Sequence, residues 1–138
     1  MLIKKTTSIT FLLLLSFCFF CPLKAVLPPP NWLQLTPGTS PSARDTATLA
    51  FDPFSNTTIL FGGARTGGVF LNDTWSYNGA DNTWTQLNPP TSPPPRYGAS
   101  MVFDPSSNTI ILFGGQGNGG LLNDTWSYNG ADNTWTQL

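Results

Sequence analysis

A stretch of seventeen residues, LNDTWSYNGADNTWTQL, occurs twice in this chain, at residues 71–87 and again at residues 122–138. The duplication extends upstream, because residues 41–63 align with residues 93–115 at an offset of 52 positions. One residue is lost between the double glycine and the LND stretch, so that the offset becomes 51. A period of about 50 residues is typical of supersecondary units that stack on one another, and it argues against a single irregular core.

Each unit contains four short runs of β-branched and aromatic residues, separated by Gly, Pro, Asn and Asp. In the first unit these runs are residues 47–51, 57–61, 73–77 and 84–87. Such runs predict strands, and the short connections predict antiparallel neighbours, since a parallel crossover needs about a dozen residues or more. A further match, WLQL at residues 32–35, predicts one leading strand. The predicted fold class is all-β, with two four-stranded antiparallel sheets.

The order of features within each unit resembles the kelch repeat, which forms one blade of a β-propeller. An arginine precedes the first strand, the second strand ends in Gly-Gly, and N-D-T-W-x-Y is followed by a second tryptophan. The matching residues are Arg44, Gly62, Gly63, Trp75 and Trp84 in the first unit, and Arg96, Gly114, Gly115, Trp126 and Trp135 in the second. The resemblance covers most of residues 32–138 and implies two kelch-type blades of an incomplete β-propeller.

The first 25 residues are predicted to be a secretory signal peptide. Lys4 and Lys5 precede an apolar run that ends near Cys21, and Ala25 supplies a small residue at a cleavage point. The apolar run is shorter than the roughly 20 residues that span a bilayer. We therefore expect a secreted, periplasmic or extracellular protein with no stable membrane span after cleavage; the alternative is an uncleaved anchor.

The rest of the chain divides according to the repeat. Residues 26–43 form a linker that contains the leading strand, residues 44–87 the first kelch repeat, residues 88–95 a proline-rich connection between blades, and residues 96–138 the second kelch repeat. The double glycines are predicted to adopt backbone angles closed to other residues, or to let a neighbouring strand come close. The four repeated tryptophans are predicted to fill the space between blades, and a sugar-stacking platform is the alternative.

The charged residues of the predicted mature chain argue against several classes of function. Residues 26–138 contain no Cys, His, Glu or Lys, and three arginines against seven aspartates give a net charge of −4. An acidic domain without lysine is poorly suited to bind nucleic acid, because phosphate contacts need clustered positive charge. Without imidazole, thiol or glutamate groups, we predict no catalytic residues, no metal site and no cofactor.

The three arginines are the candidate ligand-binding residues, because a four-stranded meander would place Arg44, Arg65 and Arg96 at the same end of the sheets. Two interpretations of Arg44 and Arg96 remain open: ion pairs that hold strand ends together, or recognition of a carboxylate or another anion. Arg65 is the stronger ligand candidate, because its loop differs between the copies and the counterpart loop QGNGGL has no charge. Loops that vary on a fixed scaffold often determine binding specificity.

The kelch resemblance implies an exported, non-enzymatic module that binds a protein or glycan partner. The alternative is the propeller core of a secreted oxidase or glycan-active enzyme that has lost its catalytic residues. A propeller typically needs about four to eight blades to close. Two blades are therefore too few to close a ring, and three explanations remain. The chain is a fragment of a larger propeller, a homo-oligomer that completes the ring, or an open pair of blades. We favour the fragment.

Overall fold

The computed structural model of the protein describes residues 32–138, and within them it contains twelve β-strands. The predicted signal peptide at residues 1–25 and the start of the linker lie outside the described residues. The strands are β1 (Thr48–Asp52), β2 (Thr57–Phe61), β3 (Ala64–Arg65), β4 (Val69–Phe70), β5 (Thr74–Asn78), β6 (Thr83–Leu87), β7 (Ser100–Asp104), β8 (Thr109–Phe113), β9 (Gln116–Gly117), β10 (Gly120–Leu121), β11 (Thr125–Asn129) and β12 (Thr134–Gln137). Residues 32–138 contain no helix that is long and apolar enough to cross a membrane.

Two four-stranded antiparallel sheets make up most of the fold, and this confirms the predicted fold class. Blade 1 has the strand order β1-β2-β5-β6, and blade 2 has the order β7-β8-β11-β12. Side chains alternate between the two faces of a strand, so each blade has two faces. We call the face that carries the last tryptophan of a blade, Trp84 or Trp135, its leading face. The opposite face, which carries Phe61 or Phe113, is its trailing face.

Aspartate and asparagine side chains build the turn that joins the first two strands of each blade. Asp52 accepts hydrogen bonds from the Phe54 amide at 3.0 Å and from the Ser55 hydroxyl at 2.8 Å. Asn56 has a φ of 54°, which places it in the left-handed region that asparagine tolerates better than most residues. In blade 2, Asp104 accepts the corresponding bonds from the Ser106 amide and the Ser107 hydroxyl. The turn residues thus end one strand and start the next.

The first double glycine lies where the backbones of three segments meet. Gly62 and Gly63 have φ angles of 64° and 101°. A Cβ on Gly62 would lie 2.7 Å from the carbonyl oxygen of Arg96, and a Cβ on Gly63 would lie 2.8 Å from that of Asp45. Both the backbone angle and the close approach therefore require glycine at these positions.

The structure differs from the sequence prediction in two elements. The loop between the second and third long strands of each blade contains a small hairpin, β3–β4 or β9–β10, whose strands have two residues each. These hairpins were not predicted. Residues 32–35 were predicted to form a leading strand, and this is wrong, because no strand is formed there. The same WTQL pattern is a strand in β6 because β5 provides backbone hydrogen-bond partners. Residues 32–35 have no such neighbouring strand among residues 32–138.

The hydrophobic core lies between the blades and is shared by them. Blade 1 contributes its trailing face, including Ile59 and Phe61, and blade 2 contributes its leading face, including Leu112, Tyr128 and Trp135. The Phe61 and Trp135 rings meet edge to face with centroids 5.1 Å apart. Each blade therefore depends on the other for burial of its apolar side chains.

Candidate functional site

Arg44 links the segment before β1 to the residues that follow β2 and precede β5 in blade 1. Its guanidinium donates to both carboxylate oxygens of Asp73, at 2.6 and 2.8 Å, and to the carbonyl oxygen of Gly62 at 3.0 Å. A two-point contact of this kind fixes the orientation of both groups. The side chain of Arg44 is 6% exposed, so its donors are used within the fold.

Arg96 makes the same contacts in blade 2 and is completely buried. It donates to both oxygens of Asp124, at 2.6 and 2.8 Å, and to the carbonyl oxygen of Gly114 at 3.0 Å. Its backbone also joins the blades, because its carbonyl accepts from the Gly63 amide and its amide donates to the Leu71 carbonyl. The structure accounts for both repeated arginines as ties between strands, which supports the first of the two open interpretations.

The two ion pairs lower the pKa values of their carboxylates. Hydrogen bonds from Arg96 outweigh the opposing effect of burial and lower the pKa of Asp124 to about 2. Burial alone would raise the pKa of Asp73, but hydrogen bonds from Arg44 and Trp75 lower it below its usual value. Both carboxylates are therefore ionised at neutral pH and hold their arginines in place.

Arg65 differs from the other two arginines. It lies on β3, is exposed, and its guanidinium makes no hydrogen bond to any residue within 32–138. It borders an open cleft of about 510 Å³ at the loop end of the sheets. The cleft is lined by Ala43, Arg44, Asp45, Thr46, Ala64, Arg65, Thr66, Gly68, Phe70 and Tyr97. Of the three predicted candidates, Arg44 and Arg65 thus border one cleft, and Arg96 does not line it.

The cleft combines a cation with an aromatic wall that bridges the two blades. Phe70, from the β3–β4 hairpin of blade 1, packs against Tyr97, which precedes blade 2, with ring centroids 4.8 Å apart and ring planes tilted by 52°. The Tyr97 hydroxyl donates to Gln116 Oε1 at 2.7 Å, which holds the ring in place. Such a cleft can offer two-point hydrogen bonding from Arg65 to a carboxylate and apolar contact to the group that carries it.

Several cleft residues were missed by reasoning from the sequence, among them Thr46, Phe70 and Tyr97. A usable signal was present, because Tyr97 aligns with Asp45 and therefore breaks the repeat, as Arg65 does. Thr46 also has a φ of 47°, which is unusual for a β-branched residue. Several positions that differ between the copies, including Thr46, Arg65 and Tyr97, thus lie together at the cleft.

The four repeated tryptophans have three different environments. Trp135 is buried in the core and donates from its indole nitrogen to Thr74 Oγ1 at 3.1 Å. Trp75 and Trp126 each donate to the aspartate two residues earlier, at 2.7 Å. Trp84 lies beside a shallow cavity of about 360 Å³ that Leu35 and Pro37 help to line. The burial of Trp135 supports packing between blades as the role of this position.

Comparison with known proteins identifies the repeat. The profile of the KLHDC2/KLHL20/DRC7 kelch-repeats domain matches residues 30–138. The Rho GTPase-activating protein gacHH of Dictyostelium discoideum is 36% identical over 84 residues, which are 57% of this chain and 5% of that protein. An F-box/kelch-repeat protein of Arabidopsis thaliana is 37% identical over 73 residues, which are 49% of this chain and 15% of that protein.

A third relative matches over a longer stretch. Adagio-like protein 1 of Oryza sativa subsp. japonica is 30% identical over 113 residues, which are 78% of this chain and 17% of that protein. The chain thus spans between 5% and 17% of the length of these three relatives. The similarity therefore covers only a small part of each of these larger proteins.

Proposed function

Because the chain belongs to the kelch-repeat family, we propose that it is a protein-interaction module, exported and non-enzymatic, whose cleft binds an anionic group of its partner. A carboxylate on an acidic peptide segment is the chemistry that fits best. The observation that carries this proposal is Arg65, an exposed arginine with no hydrogen-bond partner within residues 32–138, at the edge of a cleft of about 510 Å³. The repeated arginines, by contrast, are paired inside their own blades.

The surroundings of Arg65 favour a peptide over a free small anion. The Phe70–Tyr97 pair gives the cleft an apolar wall, and Asp45 lines the cleft as well. A small anion would gain little from the aromatic wall and would be repelled by the Asp45 carboxylate. A peptide can place a carboxylate on Arg65 and still present apolar atoms or amide donors to the rest of the cleft.

The test uses two synthetic peptides of equal length, one rich in Asp and Glu and the other with Asn and Gln at those positions. We expect the wild-type chain to prefer the acidic peptide, and Arg65→Ala to weaken that binding about tenfold, which is about 1.4 kcal/mol. Affinities are measured by fluorescence anisotropy at low and high salt. Leu121→Thr is the matched control, since Leu121 is exposed on the corresponding hairpin of blade 2. Equal affinity for both peptides, or unchanged binding by Arg65→Ala, would contradict the proposal.

Export is a separate part of the proposal and has its own test. The basic residues Lys4 and Lys5, the apolar run after them and the small residue Ala25 support cleavage by a signal peptidase. In an expressing cell, we expect the protein outside the cytoplasmic fraction with Val26 as its first residue. Recovery of the intact amino terminus in the cytoplasm would refute export and leave the binding proposal untouched.

A further inference from the structure

Within residues 32–138, each blade has one face packed against the other blade and one face without a blade on it. The trailing face of blade 2 is open, and Val102 and Phe113 on it are 62% and 54% exposed. The leading face of blade 1 has no blade on it either, and Leu49 and Phe51 on it are 50% and 51% exposed, whereas Leu60 is 7% exposed. Apolar side chains exposed in this way on a sheet face mark a surface where another protein binds.

The interface inside the chain shows what covers a trailing face. Phe61 on the trailing face of blade 1 is 1% exposed, because Trp135 and Tyr128 from the leading face of blade 2 pack against it and its neighbours. Its equivalent in blade 2 is Phe113, at the same position of the repeat and 54% exposed. The same residue type at the same register is thus covered in one blade and uncovered in the other.

The covering surface also exists in a second, open copy. Trp135 and Tyr128 lie in residues 122–138, and residues 71–87 have the identical sequence, so blade 1 presents Trp84 and Tyr77 in the same register. The Tyr77 and Trp84 rings are 4.9 Å apart and those of Tyr128 and Trp135 are 5.0 Å apart. The leading face of blade 1 thus has the geometry of the face that already buries Phe61.

The segment that flanks this face is also arranged in the same way in both blades. Thr91 donates from its hydroxyl to the carbonyl oxygen of Trp135 at 2.6 Å, at the formed interface. Thr39 makes the equivalent bond to the carbonyl oxygen of Trp84 at 2.9 Å. The open face of blade 1 is therefore preorganised, which lowers the entropic cost of binding.

From these observations we infer that the occupant of each open face is a second copy of this chain, bound head to tail. The leading face of blade 1 in one copy packs on the trailing face of blade 2 in the next and reproduces the interface between the blades. Trp84 then takes the place of Trp135 against Phe113, and its indole donates to Thr125, the equivalent of Thr74. Four strand positions differ from the formed interface. On the trailing face, Ser100 and Val102 replace Thr48 and Ala50. On the leading face, Leu49 and Thr58 stand where blade 2 has Met101 and Ile110.

The chemistry of the leading face of blade 1 supports this occupant. None of the strand residues on the leading face of blade 1 is charged, so nothing in them repels an apolar surface. Those residues are Leu49, Phe51, Thr58, Leu60, Trp75, Tyr77, Trp84 and Gln86. The two surfaces that meet are different, so the contact is heterologous, and successive copies either close into a ring or continue as an open array.

The test is a complementation experiment with the full 138-residue chain, using light scattering on a sizing column. Leu49→Asp blocks the leading face and Phe113→Asp blocks the trailing face, at positions of nearly equal exposure. We expect the wild type to form multimers and each variant alone to be monomeric. An equimolar mixture of the two variants is expected to form dimers and nothing larger, because only one intact pair of faces remains.

A control substitution outside both open faces accompanies the two blocking variants. Leu121→Asp changes a residue that is 88% exposed, and it is expected to leave the multimer intact. Circular dichroism checks that each variant is folded, and Leu49→Ser with Phe113→Ser replaces any variant that is not. A monomeric wild type, a blocking variant that remains a multimer alone, or a mixture that stays monomeric would each overturn the inference. If both blocking variants remain multimers, another segment of the chain drives association.

Discussion

Thr46 occupies a left-handed backbone conformation for which the second copy of the repeat uses a glycine. It has a φ of 47°, while the residue at the same position of the second copy is Gly98, with a φ of 65°. The amide of Gly98 donates to the carbonyl oxygen of Thr46 at 2.9 Å, so the two residues meet where the blades join. Thr46 also lines the cleft. Strain kept at the edge of a binding site is a frequent sign that the side chain there is used.

We predict that Thr46→Gly stabilises the fold. Relief of the left-handed conformation is worth about 1–2 kcal/mol, and it exceeds the roughly 0.5–1 kcal/mol that glycine loses in backbone entropy. The free energy of unfolding in urea should rise by up to about 1 kcal/mol. Gly98→Thr is the reciprocal variant and should lower that free energy. Destabilisation by Thr46→Gly would show that the threonine side chain itself holds the segment.

The ion pair of blade 2 should be the more sensitive of the two to loss of its carboxylate. Asp124→Asn leaves the guanidinium of Arg96, which is 0% exposed, without its counter-charge. The expected loss is about 3–5 kcal/mol in the free energy of unfolding. Asp132→Asn is the control, because this aspartate accepts only exposed bonds, from Asn129 at the end of β11 and Thr134 at the start of β12. Its loss should cost at most about 1 kcal/mol.

At the scale of strands and turns, the long strands could be predicted because each combines a β-branched run with a turn signal at its end. The hairpins β3–β4 and β9–β10 could not, since strands of two residues are too short to show a periodic pattern. The leading strand at residues 32–35 failed for a different reason: strand formation depends on a neighbour as well as on local sequence. The local sequence pattern therefore predicts the long strands of each blade, but it does not predict the short hairpins or the conformation of the flanking segment.

The candidate site divides in the same way. Arg65 was predicted, because its loop differs between the copies and carries a charge. The contact of Phe70 with Tyr97 could not be predicted, because it depends on how blade 2 packs against blade 1. The sequence also could not distinguish the paired arginines from the unpaired one. Arg44, for example, pairs with Asp73, which lies 29 residues away in the sequence.

The double-glycine turn gives a prediction at this scale. Gly63→Ala adds a Cβ 2.8 Å from the Asp45 carbonyl oxygen at a φ of 101°, whereas Gly67→Ala meets no atom within 4 Å at a φ of 88°. We expect Gly67→Ala to cost about 1–2 kcal/mol from backbone strain alone. Gly63→Ala should cost about 1–3 kcal/mol more, because the clash with backbone is added. Thermal unfolding compares the stabilities of the two variants. Equal losses of stability would mean that the backbone near Gly63 shifts to accommodate the Cβ at no energetic cost.

At the scale of the whole molecule, the shared core makes the two blades one cooperative unit. Ile59 and Phe61 of blade 1 are buried only against blade 2, and Leu112 and Trp135 of blade 2 are buried against blade 1. Neither sheet has a second layer of its own within residues 32–138. Disruption of one blade therefore exposes the apolar face of the other, and a single unfolding transition is expected.

The pH dependence of stability should have two limbs. The pKa of Asp124 is lowered from 3.8 to about 2 by Arg96, so stability present at neutral pH is lost as the pH falls from near 4 through 2. Burial, reinforced by Asp52, raises the pKa of Tyr128 from 10.0 to about 12, so stability is lost as the pH rises from 10 through 12. Denaturation midpoints across pH measure both limbs. Tyr128→Phe should flatten the alkaline limb and leave the acid limb unchanged.

The position of the core also sets an order in time. Blade 1 leaves the ribosome first, but the tryptophan that covers Phe61 is Trp135, 74 residues later in the chain. Until β11 and β12 are synthesised, both faces of the blade 1 sheet are exposed to solvent. A sheet without a packed apolar face has little stability of its own. Between the synthesis of β6 and that of β12, the nascent chain therefore carries an apolar sheet face without the blade that covers it. A chaperone or another nascent copy of the same chain has that interval in which to reach it.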